Sequence, residues 1–247
     1  MLKELEDFTW FPSLLRQYQL SYIGCVVKWL NIYKPIVPIL KQMQTFPNIK
    51  NIVDLCSGSG EPAIFLQQQT GNSYSTLLTD KFPSQIISLP YINYHQAPIN
   101  ALQINPKNDT LYSMYNAFHH FSTKEQTQLI ENIVQNNSSI IIVEILMPFI
   151  YSFASVLFAG TLLQWIITPF IKPFSIKRLF FTYILPINIF TVVYDGIISV
   201  LRSKTPSKYK TLVNKIHTIN YNMEVQPIKT WKGTLICIKI YPKCKCK

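Results

Sequence analysis

Asn51-Ile52-Val53-Asp54-Leu55-Cys56-Ser57-Gly58-Ser59-Gly60-Glu61-Pro62-Ala63 is the stretch from which the rest of the chain can be read. Ile52, Val53 and Leu55 form the apolar run of a parallel strand covered on both faces. Gly58 and Gly60 then let the backbone turn tightly beside a ligand, and Pro62 suits the first turn of a helix. A buried strand that enters a glycine turn and opens a helix is a common way to build a cofactor site.

Two cofactor classes use this shape, and the position of the acid separates them. Gly58-x-Gly60-x-x-Ala63 satisfies the dinucleotide fingerprint, in which pyrophosphate rests on backbone N–H groups at a helix N-terminus. Asp54, however, lies inside the strand four residues before Gly58, where a pyrophosphate turn has no use for an anion. The turn therefore suits a cationic or neutral ligand. Val53-Asp54-Leu55-Cys56-Ser57-Gly58-Ser59-Gly60 resembles the first motif of class I S-adenosylmethionine-dependent methyltransferases. The resemblance implies an acid near the methionine end of the cofactor and glycines beneath its ribose. It assigns Asp54, Cys56, Ser57, Gly58, Ser59 and Gly60 to the binding of S-adenosylmethionine, whose ammonium and sulfonium favour a nearby anion.

With 247 residues and 48% hydrophobic content the chain can bury a full core, with one catalytic domain plus an elaboration as the expectation. The net charge of +11 is unevenly spread. Residues 1–144 hold nine Lys and Arg against ten Asp and Glu, whereas residues 145–247 hold fourteen against two. That second half also carries the longest apolar runs, a mixture that suits peripheral contact with an anionic membrane before it suits nucleic acid. Five cysteines and the lack of an N-terminal signal peptide point to a reduced cytoplasmic setting, at the inner face of the membrane if lipid is touched. Cys244 and Cys246, in a terminal Lys-Cys-Lys-Cys-Lys run read as a solvated tail, lack the second pair that a zinc site needs, so no metal ligands are assigned.

Beyond the glycine turn, strands and helices alternate. The helix over residues 62–69 ends at Gly71-Asn72, and a second strand over residues 74–79 finishes at Asp80, twenty residues after Gly60. There an ionised acid can accept both hydroxyls of an adenosine ribose, with Lys81 beside it. A third strand over residues 92–96 leads to Asn100 and Ala101, where the family usually places an Asp that touches the adenine amino group. Asn100 can accept from that group through its side-chain carbonyl. A fourth strand, residues 110–115, delivers Asn116-Ala117-Phe118-His119-His120-Phe121 to its C-terminal end. A similar run lies beside the transferred methyl in small-molecule methyltransferases, which makes Asn116 a cofactor contact. The amino-methylating nucleic-acid enzymes carry Asn or Asp followed by two prolines there, and this chain does not. His119 and His120 are candidate general bases, His119 slightly preferred; the competing reading is that they brace the helix over residues 123–135, with Ser122 as N-cap.

After a fifth strand over residues 139–145, residues 145–171 carry no charge and, with Pro148 in the first turn, suit a helix to about residue 168. A second apolar stretch, residues 179–194, is broken by Pro186 and Asn188. Crossing a bilayer twice would place Lys172, Lys177 and Arg178 against the positive-inside tendency, so a hairpin that caps the site or dips into one leaflet is expected. Asp195-Gly196, Ser199 and Arg202 resemble a pattern that follows the hydrophobic region in a bacterial subgroup of the family, as do Glu4 to Arg16 with Trp10-Phe11-Pro12. Asp195 is a candidate to hold or deprotonate substrate, and equally a helix cap. Glu6, Asp7 and Arg16 receive no catalytic role. Two final strands, residues 221–227 and 234–241, close the sheet with an antiparallel partner.

The expected fold is α/β, a Rossmann-like, doubly wound, mostly parallel seven-stranded sheet. Residues 1–46 form a helical cap, 47–145 the cofactor-binding core, 146–204 a hydrophobic hairpin and 205–247 the completion of the sheet. The expected activity is methyl transfer from S-adenosylmethionine to a small apolar or amphipathic acceptor such as a lipid or quinone-like molecule. An NAD(P)- or flavin-dependent oxidoreductase and a non-catalytic membrane-surface protein with the same fold are the alternatives.

Overall fold

A computed structural model describes residues 2–46, 49–71, 74–83, 87–216 and 218–243. Asn72, Cys244 and Cys246, on which a helix end and a solvated tail were read, lie outside these residues. After a 3-10 turn at Leu5–Asp7 the chain forms α1 (Ser13–Trp29) and α2 (Val37–Gln44). The core follows as β1 (Asn51–Leu55), α3 (Glu61–Thr70), β2 (Ser75–Thr79), β3 (Ser88–Leu89), β4 (Ile92–Tyr94), β5 (Thr110–Tyr115), α4 (Thr123–Gln135) and β6 (Ser139–Glu144). A helical block, α5 (Ile150–Phe158), α6 (Gln164–Ile167), α7 (Ile176–Tyr183) and α8 (Ile187–Arg202), precedes α9 (Pro206–Asn214), β7 (Tyr221–Thr230) and β8 (Gly233–Pro242).

The strands form one sheet in the order β3-β4-β2-β1-β5-β6-β8-β7. The four pairings β4–β2, β2–β1, β1–β5 and β5–β6 are parallel, and the three that involve β3 or β8 are antiparallel. Eight strands therefore stand where seven were expected. The additional one, Ser88–Leu89, is a two-residue edge strand, too short for an alternation of side chains to announce it.

Alternation along the central strands sorts the core onto two faces. Ile140 and Ile142 of β6 face Leu129, Ile130 and Ile133 of α4 and Tyr209, Leu212 and Val213 of α9. Ile141 and Val143 face the opposite layer, where Val27, Leu40 and Met43 of α1 and α2 meet Ile64 and Leu66 of α3. Each such aliphatic side chain contributes about 2 kcal/mol by leaving water. Helix α4 begins at a reciprocal cap: Ser122 Oγ accepts from the Glu125 N–H at 3.3 Å, and Glu125 Oε2 accepts from the Ser122 N–H at 2.7 Å.

The charge-free segment runs as α5, a π-helical turn at Ala159–Leu163, α6 and a 3-10 turn at Thr168–Phe170. It starts at Ile150, with Pro148 two residues upstream rather than inside the first turn. The continuous helix Ile150–Phe170 has 21 residues and is long and apolar enough to cross a membrane. Helices α7 and α8 meet at a bend of 72° next to Pro186, which donates no backbone hydrogen bond. Helix α8 packs on α5 and reaches α1, so the block lies against the N-terminal segment.

Candidate active site

The strand β1 ends at Leu55, and Cys56 turns the chain with φ +56°, a left-handed conformation that costs a side-chain residue energy. Ser57 ties this turn to the end of β2: its hydroxyl donates to the Asp54 carbonyl at 3.0 Å and accepts from the Thr79 N–H at 3.1 Å. Gly60 caps α3 with φ +79°, and a Cβ there would sit 2.8 Å from Leu78 Cδ1. Helix α1 presses on the same turn, since a Cβ on Gly24 would meet Ser59 Oγ at 2.5 Å.

Asp80 leaves β2 beside the turn and accepts from the Gly58 N–H at 2.9 Å and the Phe82 N–H at 2.8 Å. Those bonds hold a carboxylate at the rim of a cavity of about 690 Å³, a size suited to a ligand of a few dozen atoms. Cys56, Ser57, Gly58, Ser59, Asp80 and Lys81 all border this cavity. So do Asn100, Ala101 and Asn116, which come to it from the ends of the neighbouring strands. Asn100 Oδ1 accepts from the Leu102 N–H at 3.0 Å, which leaves a second lone pair on that oxygen. Asn116 is held with φ +50° at the end of β5, and its N–H donates to the Val143 carbonyl at 2.7 Å.

Asp54 is 2% exposed and lies outside the lining, beneath the turn. Its Oδ1 accepts from Ser113 Oγ on β5 at 2.6 Å. Burial raises its pKa to about 7, against the Ser113 and Ser57 hydrogen bonds and with help from the Asp80 charge. Gly60 is likewise outside the lining and acts by letting the chain turn.

A second group of polar side chains borders the same cavity. His120 does so, whereas His119 is 1% exposed behind it. His119 Nδ1 lies 2.6 Å from Glu144 Oε2, and its Nε2 faces Glu4 Oε1 at 3.5 Å. His120 Nδ1 lies 3.0 Å from Asp7 Oδ1. Arg202 braces the pair from α8: its Nε donates to the His119 carbonyl at 3.0 Å, its Nη2 donates to the His120 carbonyl, and its Nη1 meets Asp7 Oδ2 at 3.1 Å.

The charges of this group are strongly coupled. Burial opposes protonation of His120, yet the Glu4 charge, the Asp7 hydrogen bond and the Glu6 charge push its pKa to about 10. His119 is raised because the Glu144 carboxylate outweighs burial. Asp7 falls to about 2, burial being outweighed by His120 and Arg202, while burial lifts Glu6 to about 8. Asp195 borders the cavity too, but its carboxylate is occupied. It accepts from the Leu5 N–H at 2.5 Å, the Glu6 N–H at 3.3 Å and Gln19 Nε2 at 2.7 Å, and burial raises it to about 6. It thus pins the N-terminal segment over the site.

The sequence matches no protein-family model and is similar to no curated protein. Its backbone is similar to the solved structure of LepI in complex with SAM, at a TM-score of 0.50 and 17% identity over 83% of this chain and 47% of that one. Human N-acetylserotonin methyltransferase in complex with SAM gives a TM-score of 0.46 at 13% identity, over 85% and 52% of the two chains. The present chain thus spans about half the length of these proteins. The fold is that of the class I S-adenosylmethionine-dependent methyltransferases. Within this methyltransferase fold, the cavity lies at the C-terminal ends of the parallel strands, where open α/β sheets receive ligands.

Glu6, Asp7 and Arg16, for which the sequence suggests no catalytic role, border the cavity together with Glu4. Arg16 Nη2 donates to the Phe8 carbonyl at 2.7 Å, and its guanidinium lies 4.1 Å from the Phe82 ring centroid. Phe11 is buried and Trp10 is 65% exposed, so only the former packs in the core. The one available sign of their importance was the acidic run ahead of Trp10-Phe11-Pro12.

Proposed function

We propose that this chain transfers a methyl group from S-adenosylmethionine to a small apolar or amphipathic acceptor. The observation that carries the reading is a single cavity bordered both by the glycine turn with Asp80 and by the polar group around His120. The residues present suit the cofactor. Cys56, Ser57, Gly58 and Ser59 of the turn border the cavity beside the Asp80 carboxylate, which suits the hydroxyls of a ribose. Asn100 and Ala101, which border the cavity, suit contact with the adenine, and Asn116, at the end of β5, suits the side of the transferred methyl. Asp54 places a titratable carboxyl beneath the turn, where its ionised form offsets the ammonium and sulfonium charges. When bound, S-adenosylmethionine supplies an electrophilic methyl group.

The chain's own contribution is positioning: it aligns an acceptor atom behind that methyl and keeps water away. His120 borders the acceptor space, with His119 and Arg202 behind it as positioning residues. The apolar acceptor class rests on the helical block. Phe158, Leu163 and Val192 face the cavity, while Trp165, Phe170, Phe174, Ile176, Ile184 and Phe190 are exposed on the outside. Exposed apolar side chains in this number, in a block that also carries Lys172 and Lys177, suit peripheral contact with an anionic bilayer at the cytoplasmic side.

The test is incubation of purified protein with methyl-labelled S-adenosylmethionine and separate lipid and polar metabolite extracts. Label entering a component of the lipid extract supports the reading in full. Label entering only polar metabolites overturns the acceptor class, and label entering neither overturns methyl transfer.

A further inference from the structure

We propose that Glu4, His119 and His120 form a binding site for a divalent transition-metal ion of the zinc type. One ligand atom from each lies within 4.8 Å of the others. Glu4 Oε1 is 3.5 Å from His119 Nε2, and Glu4 Oε2 is 3.5 Å from His120 Nε2. These separations are too long for good hydrogen bonds, but they approach the roughly 3.4 Å between neighbouring ligands of a tetrahedral ion with bonds of about 2.1 Å.

Three further observations converge on the same point. Glu4 Oε1 and His119 Nε2 are buried and have no hydrogen-bond partner, and they face each other. They pair only with each other, and loosely, which leaves space between them for an ion. Next, each imidazole is held from behind by a carboxylate, His119 Nδ1 by Glu144 Oε2 at 2.6 Å and His120 Nδ1 by Asp7 Oδ1 at 3.0 Å. A carboxylate on Nδ1 fixes the proton there, so an ion arriving at Nε2 would displace only the Nε2 proton, the arrangement that supports metal-ligating histidines. Finally, the carboxylates of Glu4, Glu6, Asp7 and Glu144 crowd around the two rings, with Arg202 paired to Asp7. A dication would balance those carboxylates in place of the protons that the two rings hold.

Glu6 Oε1, 3.7 Å from His120 Nε2, is the nearest further oxygen, and Glu4, Glu6 and His120 all border the cavity. The donor set of two imidazoles and a carboxylate is that of zinc sites with an open position, and two of the three ligands, Glu4 and His120, border the cavity. The site stands on these distances alone and does not depend on methyl transfer.

The test uses the full chain without an affinity tag, carrying Cys244→Ser and Cys246→Ser to remove the terminal thiols. After dialysis against a chelator, Co2+ is titrated and visible absorption recorded. The expected result is saturation at one Co2+ per chain, with the intense bands of a four- or five-coordinate ion, reversed by Zn2+. Glu4→Gln and His119→Gln weaken binding at least tenfold, and Asp7→Asn weakens it by about 10- to 100-fold through the loss of outer-shell support. Should a variant lose its fold, the background chain alone still decides: micromolar Zn2+ raises its melting temperature. Absence of that shift, six-coordinate weak Co2+ spectra, or undiminished binding in a folded His119→Gln, His120→Gln chain overturns the assignment.

Discussion

Asp195→Asn is the substitution that most sharply separates a pinning role from a substrate-contacting one. Both carboxylate oxygens of Asp195 are taken by the N-terminal segment and α1: the Leu5 N–H at 2.5 Å, the Glu6 N–H at 3.3 Å and Gln19 Nε2 at 2.7 Å. Asparagine preserves the shape but keeps one acceptor oxygen and turns an NH2 group toward the remaining donors. A hydrogen bond to a charged group contributes about 1.5–3 kcal/mol, and an opposed donor pair adds to the loss, so opening of residues 4–8 becomes easier by about 2–3 kcal/mol. Amide hydrogen exchange at Leu5 and Glu6 then accelerates roughly 30- to 150-fold, while exchange in the sheet stays unchanged. The measurement is made at pH 8, where the Asp195 carboxyl, raised by burial to about 6, is ionised. Exchange at Leu5 and Glu6 within threefold of the unsubstituted chain would refute the pin.

Two further outcomes follow from the turn. Burial raises the pKa of Asp54 to about 7, well above the ordinary carboxyl range. The folded state therefore holds a proton that the unfolded state has lost, and stability falls as pH rises across that window and is level above it. Asp54→Asn removes the effect, so urea melts at pH 5 and pH 8 should show the variant gaining on the parent as pH rises; parallel curves would contradict the burial argument. Gly60→Ala forces a Cβ into the left-handed region at φ +79° and to 2.8 Å from Leu78 Cδ1, which together cost about 2–4 kcal/mol in a urea melt. A loss below 1 kcal/mol would mean that the turn relaxes freely.

The strands and the turn were legible because their information is local. Short apolar stretches, Ile52-Val53, Leu111-Tyr112 and Ile140 to Val143, marked β1, β5 and β6, and Ser122 with Glu125 set the start of α4 at Thr123, where it is observed. Two-residue β3 carried no period to read. The polar group beside His120 was hidden for a different reason: its partners are distant in the chain, as with Asp7 and His120, 113 residues apart, or Leu5 and Asp195, 190 apart. The preference for His119 over His120 could not be resolved in sequence either. Neighbours in a 3-10 turn point different ways, and only packing shows that His120 meets the cavity while His119 is sealed behind it. Asp195 followed the same pattern: the sequence offers it as a substrate contact or a helix cap, but the backbone amides that fill its carboxylate come from the other end of the chain.

The central claim is that the glycine turn and Asp80 hold S-adenosylmethionine, and calorimetric titration tests it most directly. The folded chain should bind S-adenosylmethionine and S-adenosylhomocysteine with micromolar dissociation constants. Asp80→Ala, checked for an intact fold, should weaken both at least tenfold, as expected from about 1.5–3 kcal/mol for a lost charged hydrogen bond. A folded chain that binds neither nucleoside, but does bind NADH or a flavin, would contradict the account.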